Sequence, residues 1–172
     1  GIPSDSVFET YQYAASLPNL DVVGIDCHIG SQLTETQPFV DALDRVIMMI
    51  EQLKQLGIHL KHIDIGGGLG VTYKDETPPT VVEYANALKP ALEKLGLKVY
   101  MEPGRSISAN AGVLLTKVDL LKPTNHRNFA IIDAAMNDLI RPALYEAWMD
   151  IQEVTPRHDV EAKEWDVVGA IC

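Results

Sequence analysis

Apolar residues recur along this chain with two alternating rhythms, and the alternation predicts its elements. From Val22 to Ile29 the run V-V-G-I-D-C-H-I is short and β-branched, bounded by Asp21 and Gly30, as a buried strand would be. Phe39, Leu43, Val46, Ile50 and Leu53 then repeat at the four-three spacing of one helical face, with Gly57 as a stop. Thr34-Glu35-Thr36-Gln37 has the spacing of a capping box ahead of that helix. A second strand, His62-Ile63-Asp64-Ile65, empties into Gly66-Gly67-Gly68-Leu69-Gly70. Thr80-x-x-Glu83 is another capping box, Val81, Tyr84, Leu88, Leu92 and Leu95 form another apolar face, and Gly96 ends it. Lys98-Val99-Tyr100-Met101 is the third strand.

Strand, helix, strand, helix, strand is the order of βαβ units, because parallel neighbours need a crossover between them. The fold class is therefore α/β with a parallel sheet. Ser4–Ala15, with Val7, Phe8, Tyr11 and Ala14 at helical spacing, reads as a crossover from a preceding strand, so the chain is expected to begin inside a fold. Beyond Arg105 the rhythm changes. Gly112–Leu121, Asn128–Asp133 and Glu164–Cys172 read as strands of a second, β-rich unit, and Met136–Trp148 as a short helix or a loop.

Composition narrows the partners. A hydrophobic fraction of 47% in 172 residues suits a globular domain, while a net charge of -10 disfavours nucleic acid and anionic membranes. No apolar stretch reaches membrane-spanning length. Cys27 and Cys172 lie far apart with no zinc spacing, which fits a reducing, cytoplasmic compartment. His59-x-x-His62-x-Asp64 invites a metal, but His62 and Asp64 precede the strand end where ligands gather, so no metal is expected.

Chemistry in a parallel sheet collects at the carboxyl ends of the strands. Those ends read His28-Ile29-Gly30-Ser31-Gln32, then Gly66-Gly67-Gly68-Leu69-Gly70, then Glu102-Pro103-Gly104-Arg105. The glycine cluster is either an anion cradle of bare backbone N–H groups or a turn needing positive φ. It matches neither the P-loop nor the dinucleotide spacing. Glu102 and Arg105 could equally form an ion pair at a loop, and His28 could be a packed strand-end residue. Arg141 and Tyr145, one helical turn apart, could share a face and hold a carboxylate.

In order, these motifs resemble the fold-type III pyridoxal-phosphate decarboxylases of basic amino acids. Met136-Asn137-Asp138-Leu139-Ile140-Arg141-Pro142-Ala143-Leu144-Tyr145 is similar to the diaminopimelate branch of that family. The resemblance implies part of an alanine-racemase-like (β/α)8 TIM-type barrel followed by the start of a β-rich C-terminal domain. Residues 1–106 would be the second half of the barrel, and 107–172 a partial β-domain carrying a substrate-binding segment.

Residue by residue, the resemblance implies that His28 stacks on the pyridine ring of pyridoxal 5'-phosphate and that Glu102 faces the ring nitrogen. Ser31, Gly66, Gly67, Gly68, Pro103, Gly104 and Arg105 would complete the cofactor site. Arg105, Arg141 and Tyr145 would bind an amino-acid substrate, and Cys172 would donate the proton across a homodimer interface. The implied reaction is decarboxylation of meso-2,6-diaminopimelate to L-lysine. Alternatives are the ornithine, arginine or carboxynorspermidine decarboxylases of the same family and a non-catalytic protein on the same barrel. The lysine on which the family carries its cofactor has no counterpart motif here, so a fragment is expected.

Overall fold

The computed structural model describes residues 1–171 and comprises two compact units. The first unit holds Gly1–Thr72 and Glu76–Ala111, and the second holds Tyr73–Asp75 with the chain from Gly112 onward.

In the first unit β1 (Gly24–Asp26), β2 (His62–Asp64) and β3 (Lys98–Tyr100) form a parallel sheet in that order, with α2 (Gln37–Gln55) and α3 (Val81–Leu95) as the crossovers. Ile25, Ile63 and Val99 are in register across it. Their side chains meet the faces of the two helices, where Phe39, Leu43, Val46, Ile50, Leu53, Tyr84 and Leu88 are buried. Leu53 and Ile63 are sealed completely, at 0% and 1% exposure. Phe39 and Tyr84 join the helices edge to face, with ring centroids 4.9 Å apart. α1 (Val7–Ser16) is fastened by the Tyr11 hydroxyl, which donates to Gly24 O at 3.0 Å.

The Thr80 capping box forms in full and Gly96 closes α3 in the left-handed region, at φ 70°. The box expected at Thr34 does not form. Helix α2 starts two residues later, with Thr36 as its N-cap making no side-chain bond. Pro38 is the cause, since it lacks an N–H and its fixed φ suits the first turn. Val81, expected on the apolar face of α3, is instead 68% exposed at the first residue of the helix.

The second unit is a sheet in the order β4 (Val118–Pro123), β5 (Asn128–Ile132), β6 (Asp166–Val168), antiparallel and then parallel. Thr124 closes the β4–β5 turn, its N–H and hydroxyl both donating to Arg127 O. The strand expected from Gly112 begins only at Val118. Residues 113–117 run without ladder pairing before a bulge between Val118 and Leu120. α5 (Arg141–Tyr145) resolves the Met136–Trp148 ambiguity as a short helix within a loop, with Pro142 in its first turn.

Candidate active site

Alternation along the strands decides which side chains can meet a ligand. Since Ile25, Ile63 and Val99 face the helices, Asp26, Asp64 and Tyr100 lie in register on the opposite face. Two residues further on, the chain carries His28, Gly66 and Glu102 past the strand ends.

Gly66 sits between the other two. A β-carbon there would come within 3.0 Å of His28 Nδ1, and Gly66 O accepts the Glu102 N–H at 2.8 Å. Its own N–H donates to Asp64 Oδ1 at 2.8 Å, an Asx-type turn that holds the glycine at φ 66°. The missing side chain lets the His28 imidazole and the Glu102 backbone both close on Gly66. His28 is exposed, and its Nδ1 accepts from the Gly67 N–H at 3.3 Å, which puts the proton of a neutral ring on Nε2.

Gly67 and Gly68 are required by close approach. A β-carbon on Gly67 would collide with Glu102 O, and one on Gly68 with Gly30 O. The loop after β1 is thus pressed against the glycine loop. Leu33 N donates to Gly68 O at 2.9 Å and Gly70 N to Leu33 O at 2.9 Å. Ser31 stands exposed on that loop between two positive-φ residues, Gly30 at 128° and Gln32 at 61°. Beyond Glu102 and Pro103 the Gly104 N–H turns back onto Glu102 O at 2.8 Å and starts α4 (Arg105–Ser108). Arg105 Nη1 donates to Gln32 Oε1 at 3.4 Å.

Asp26, Asp64 and Glu102 place carboxylate oxygens within 4.8 Å of one another. Proximity alone assigns no metal to them. Three like charges so close suit a cationic group beside them, such as a protonated ring nitrogen. The donor set therefore fits a flat, anion-tailed, basic heteroaromatic. The cluster offers an imidazole, three carboxylates and, from the turn after Glu102, a guanidinium.

In the second unit Arg141 is half-buried. Its guanidinium carbon lies 5.2 Å from the Tyr145 ring centroid and 5.9 Å from that of Tyr73. Among the described residues, Arg141 Nε is buried with no hydrogen-bond partner, a donor that an incoming carboxylate would satisfy. Lys74 Nζ similarly lies over the Trp148 ring at 4.8 Å. Cys172 lies outside the described residues.

The structure thus gathers His28, Gly66, Gly67, Gly68 and Glu102 into one cluster, and links Arg105 to the Ser31 loop through Gln32. Arg141 and Tyr145 meet each other in the second unit. Asp26, Asp64, Gln32 and Tyr73 were not singled out from sequence as site residues. The period-two spacing Asp26-x-His28 and Asp64-x-Gly66 was a signal for the first two, and no pattern marked the others.

Residues 1–109 match the family described as pyridoxal-dependent decarboxylase, pyridoxal binding domain. The chain belongs to this family, whose cofactor is pyridoxal phosphate. It is 60% identical over 173 residues to the diaminopimelate decarboxylase of Vibrio cholerae, and 56% identical over 172 residues to that of Pseudomonas fluorescens. Each alignment covers 100% of this chain and 41% of the relative, so the chain spans about two fifths of their length. The crystal structure of diaminopimelate decarboxylase from Helicobacter pylori complexed with L-lysine superposes with a TM-score of 0.88 at 38% identity, over 100% of this chain and 42% of that one. The α/β reading and the barrel-type ancestry hold. No helix among the described residues is long and apolar enough to cross a membrane.

Proposed function

We propose that this chain is the pyridoxal-phosphate-binding and substrate-binding part of a cytoplasmic diaminopimelate decarboxylase that converts meso-2,6-diaminopimelate to L-lysine. The observation that carries the proposal is the clustering, at the carboxyl ends of the strands, of the His28 imidazole, the glycine loop 66–68 and Glu102. Bound pyridoxal phosphate supplies an electron sink for the pair released when carbon dioxide leaves the α-carbon.

The chain's residues would do the rest. His28 lies against one face of the ring and excludes water from it. Glu102, backed by Asp26 and Asp64, holds a proton on the ring nitrogen, which deepens the sink. Ser31, the glycine loop 66–68 and the turn of Gly104 and Arg105 hold the phosphate, and Pro103 shapes the turn between Glu102 and Gly104.

Arg141 and Tyr145 bind the substrate carboxylate that stays, with the fork of the guanidinium selecting a planar anion, and Arg105 assists. Cys172 returns the proton to the α-carbon from across a homodimer interface. Residues 1–106 serve as the barrel portion and 107–172 as the β-domain portion.

The test is turnover by the intact protein on meso-diaminopimelate, L-ornithine and L-arginine, with and without added pyridoxal phosphate. L-Lysine should form from the first substrate alone. Arg141→Lys should raise KM about tenfold, since a point charge replaces a fork. Turnover of ornithine alone would overturn the substrate assignment, and cofactor-independent activity would overturn the mechanism.

A further inference from the structure

One peptide unit, the bond between Gly66 and Gly67, joins the loop after β1 to the turn after β3. Its carbonyl accepts the Glu102 N–H at 2.8 Å, and its N–H, on the opposite side of the plane, donates to His28 Nδ1 at 3.3 Å. Both flanking residues are glycines, so no β-carbon restricts rotation of that plane. Turned over, it would set its carbonyl against the accepting His28 nitrogen and its N–H against the Glu102 N–H, and both bonds would be lost. The orientation that serves the site therefore has to be held from outside the peptide.

The hold comes from two residues upstream. Gly66 sits at φ 66°, and its N–H donates to Asp64 Oδ1 at 2.8 Å, a charge-assisted bond that fixes the residue on which the plane turns. Asp64 is itself immobile. It ends β2 in register with Asp26 and Tyr100, its carbonyl accepts the Cys27 N–H at 3.1 Å, and the Ile65 N–H that follows it donates to Tyr100 O at 3.1 Å.

We infer that Asp64 is a positioning residue for the cofactor site, acting through the Gly66 N–H to lock the peptide that holds His28 and Glu102. The inference rests on the pyridoxal-phosphate reading above. It assigns Asp64 no contact with the reacting atoms, and the role is one of geometry, which a neutral acceptor of the same shape can fill.

The experiment measures amide hydrogen exchange at Gly66, Gly67 and Ile65 in the intact protein without cofactor. Affinity for pyridoxal phosphate is measured separately by absorbance titration, with melting curves to check folding. Asp64→Ala should speed exchange about tenfold at Gly66 and also at Gly67, although the partner of Gly67 is His28 and is untouched. Exchange at Ile65 should stay within about threefold of native, and binding of pyridoxal phosphate should weaken about tenfold. Asp64→Asn removes the charge and keeps an oxygen acceptor in place, so Gly67 exchange and affinity should both return to within about threefold of native.

Unchanged exchange at Gly67 in Asp64→Ala would overturn the inference, since Asp64 would then hold nothing beyond its own bond. Ile65 accelerating as much as Gly67 would do the same, because Asp64 would be supporting the sheet as a whole. So would Asp64→Asn weakening binding as much as Asp64→Ala, the signature of charge rather than geometry. Each of these leaves the cofactor reading standing. A native protein that takes up no pyridoxal phosphate would overturn both.

Discussion

The two units bury their apolar residues very differently. In the first, two amphipathic helices close over one face of a parallel sheet, and Leu53 and Ile63 lose essentially all contact with solvent. In the second, every residue of β4 is exposed, with Leu120 at 57% and Leu121 at 53%, and its described buried apolar residues are Ala130 and Ala134. A helical face and a strand next to it are a complete packing unit. A strand pattern states which residues are apolar but not what covers them. The Gly66 cluster of the first unit therefore stands on a packed scaffold, whereas in the second unit Arg141 is held by aromatic stacking on a short helix.

That contrast can be broken by mutation. Leu53→Ala should cost about 3 kcal/mol, the usual loss for a sealed leucine, while Leu120→Ala should stay within about 0.5 kcal/mol. Both tryptophans, Trp148 and Trp165, belong to the second unit, so fluorescence follows that unit and far-ultraviolet circular dichroism mainly follows α2 and α3. Urea titration with both probes should show the Leu53 variant losing its helical transition first. Equal costs at the two positions would remove the distinction between the units.

A second contrast lies within the first unit. Gly67→Ala drives a β-carbon into the Glu102 carbonyl, whereas at Gly104 the same atom meets nothing within 4 Å and φ is -67°. Overpacking against rigid backbone costs about 1–3 kcal/mol. Gly67→Ala should therefore weaken pyridoxal-phosphate binding about a hundredfold, and Gly104→Ala should change it less than about threefold. Titration of the intact protein decides, and comparable losses would mean that the close packing of the two loops does not matter to the ligand.

How much of this was legible in the sequence follows the same division. The face Phe39, Leu43, Val46, Ile50 and Leu53 was readable residue by residue, because a helix repeats its partner's position every turn. The Thr80 box and Gly96 were readable because caps are local chemistry. The Thr34 box was not, since Pro38 moved the helix start. Residues 113–117 looked like strand because apolarity was taken for pairing. The carboxylates of Asp26 and Asp64 meet only through the register of β1 with β2, and Gln32 reaches Val71 and Arg105 only after two loops close. Contacts that depend on register leave no one-dimensional trace.

The smallest effects compare how each unit uses a carboxylate to hold backbone, at a helix start in the first and across neighbouring strand ends in the second. At the start of α3 the Glu83 carboxylate accepts from the Thr80 N–H and the Thr80 hydroxyl, both at 2.8 Å, and these bonds hold its pKa below the usual glutamate range. In the second unit Asp133 accepts from Lys117 N at 2.8 Å and from the Thr116 hydroxyl at 2.6 Å, and its pKa is likewise lowered. A depressed folded-state pKa contributes stability above the unfolded value and loses it as pH falls through the folded one. Both units should therefore soften below about pH 4, the ordinary carboxylate range. Thr80→Ala should cost about 1 kcal/mol at neutral pH, the value of a lost N-cap. It should also flatten the acid limb of the helical transition, because Glu83 then has fewer donors to lose. The tryptophan-detected transition should keep its acid limb in that variant and lose part of it in Asp133→Asn. If Thr80→Ala shifted both probes alike, the two units would be unfolding as one and the separation of their cores would carry no energetic meaning.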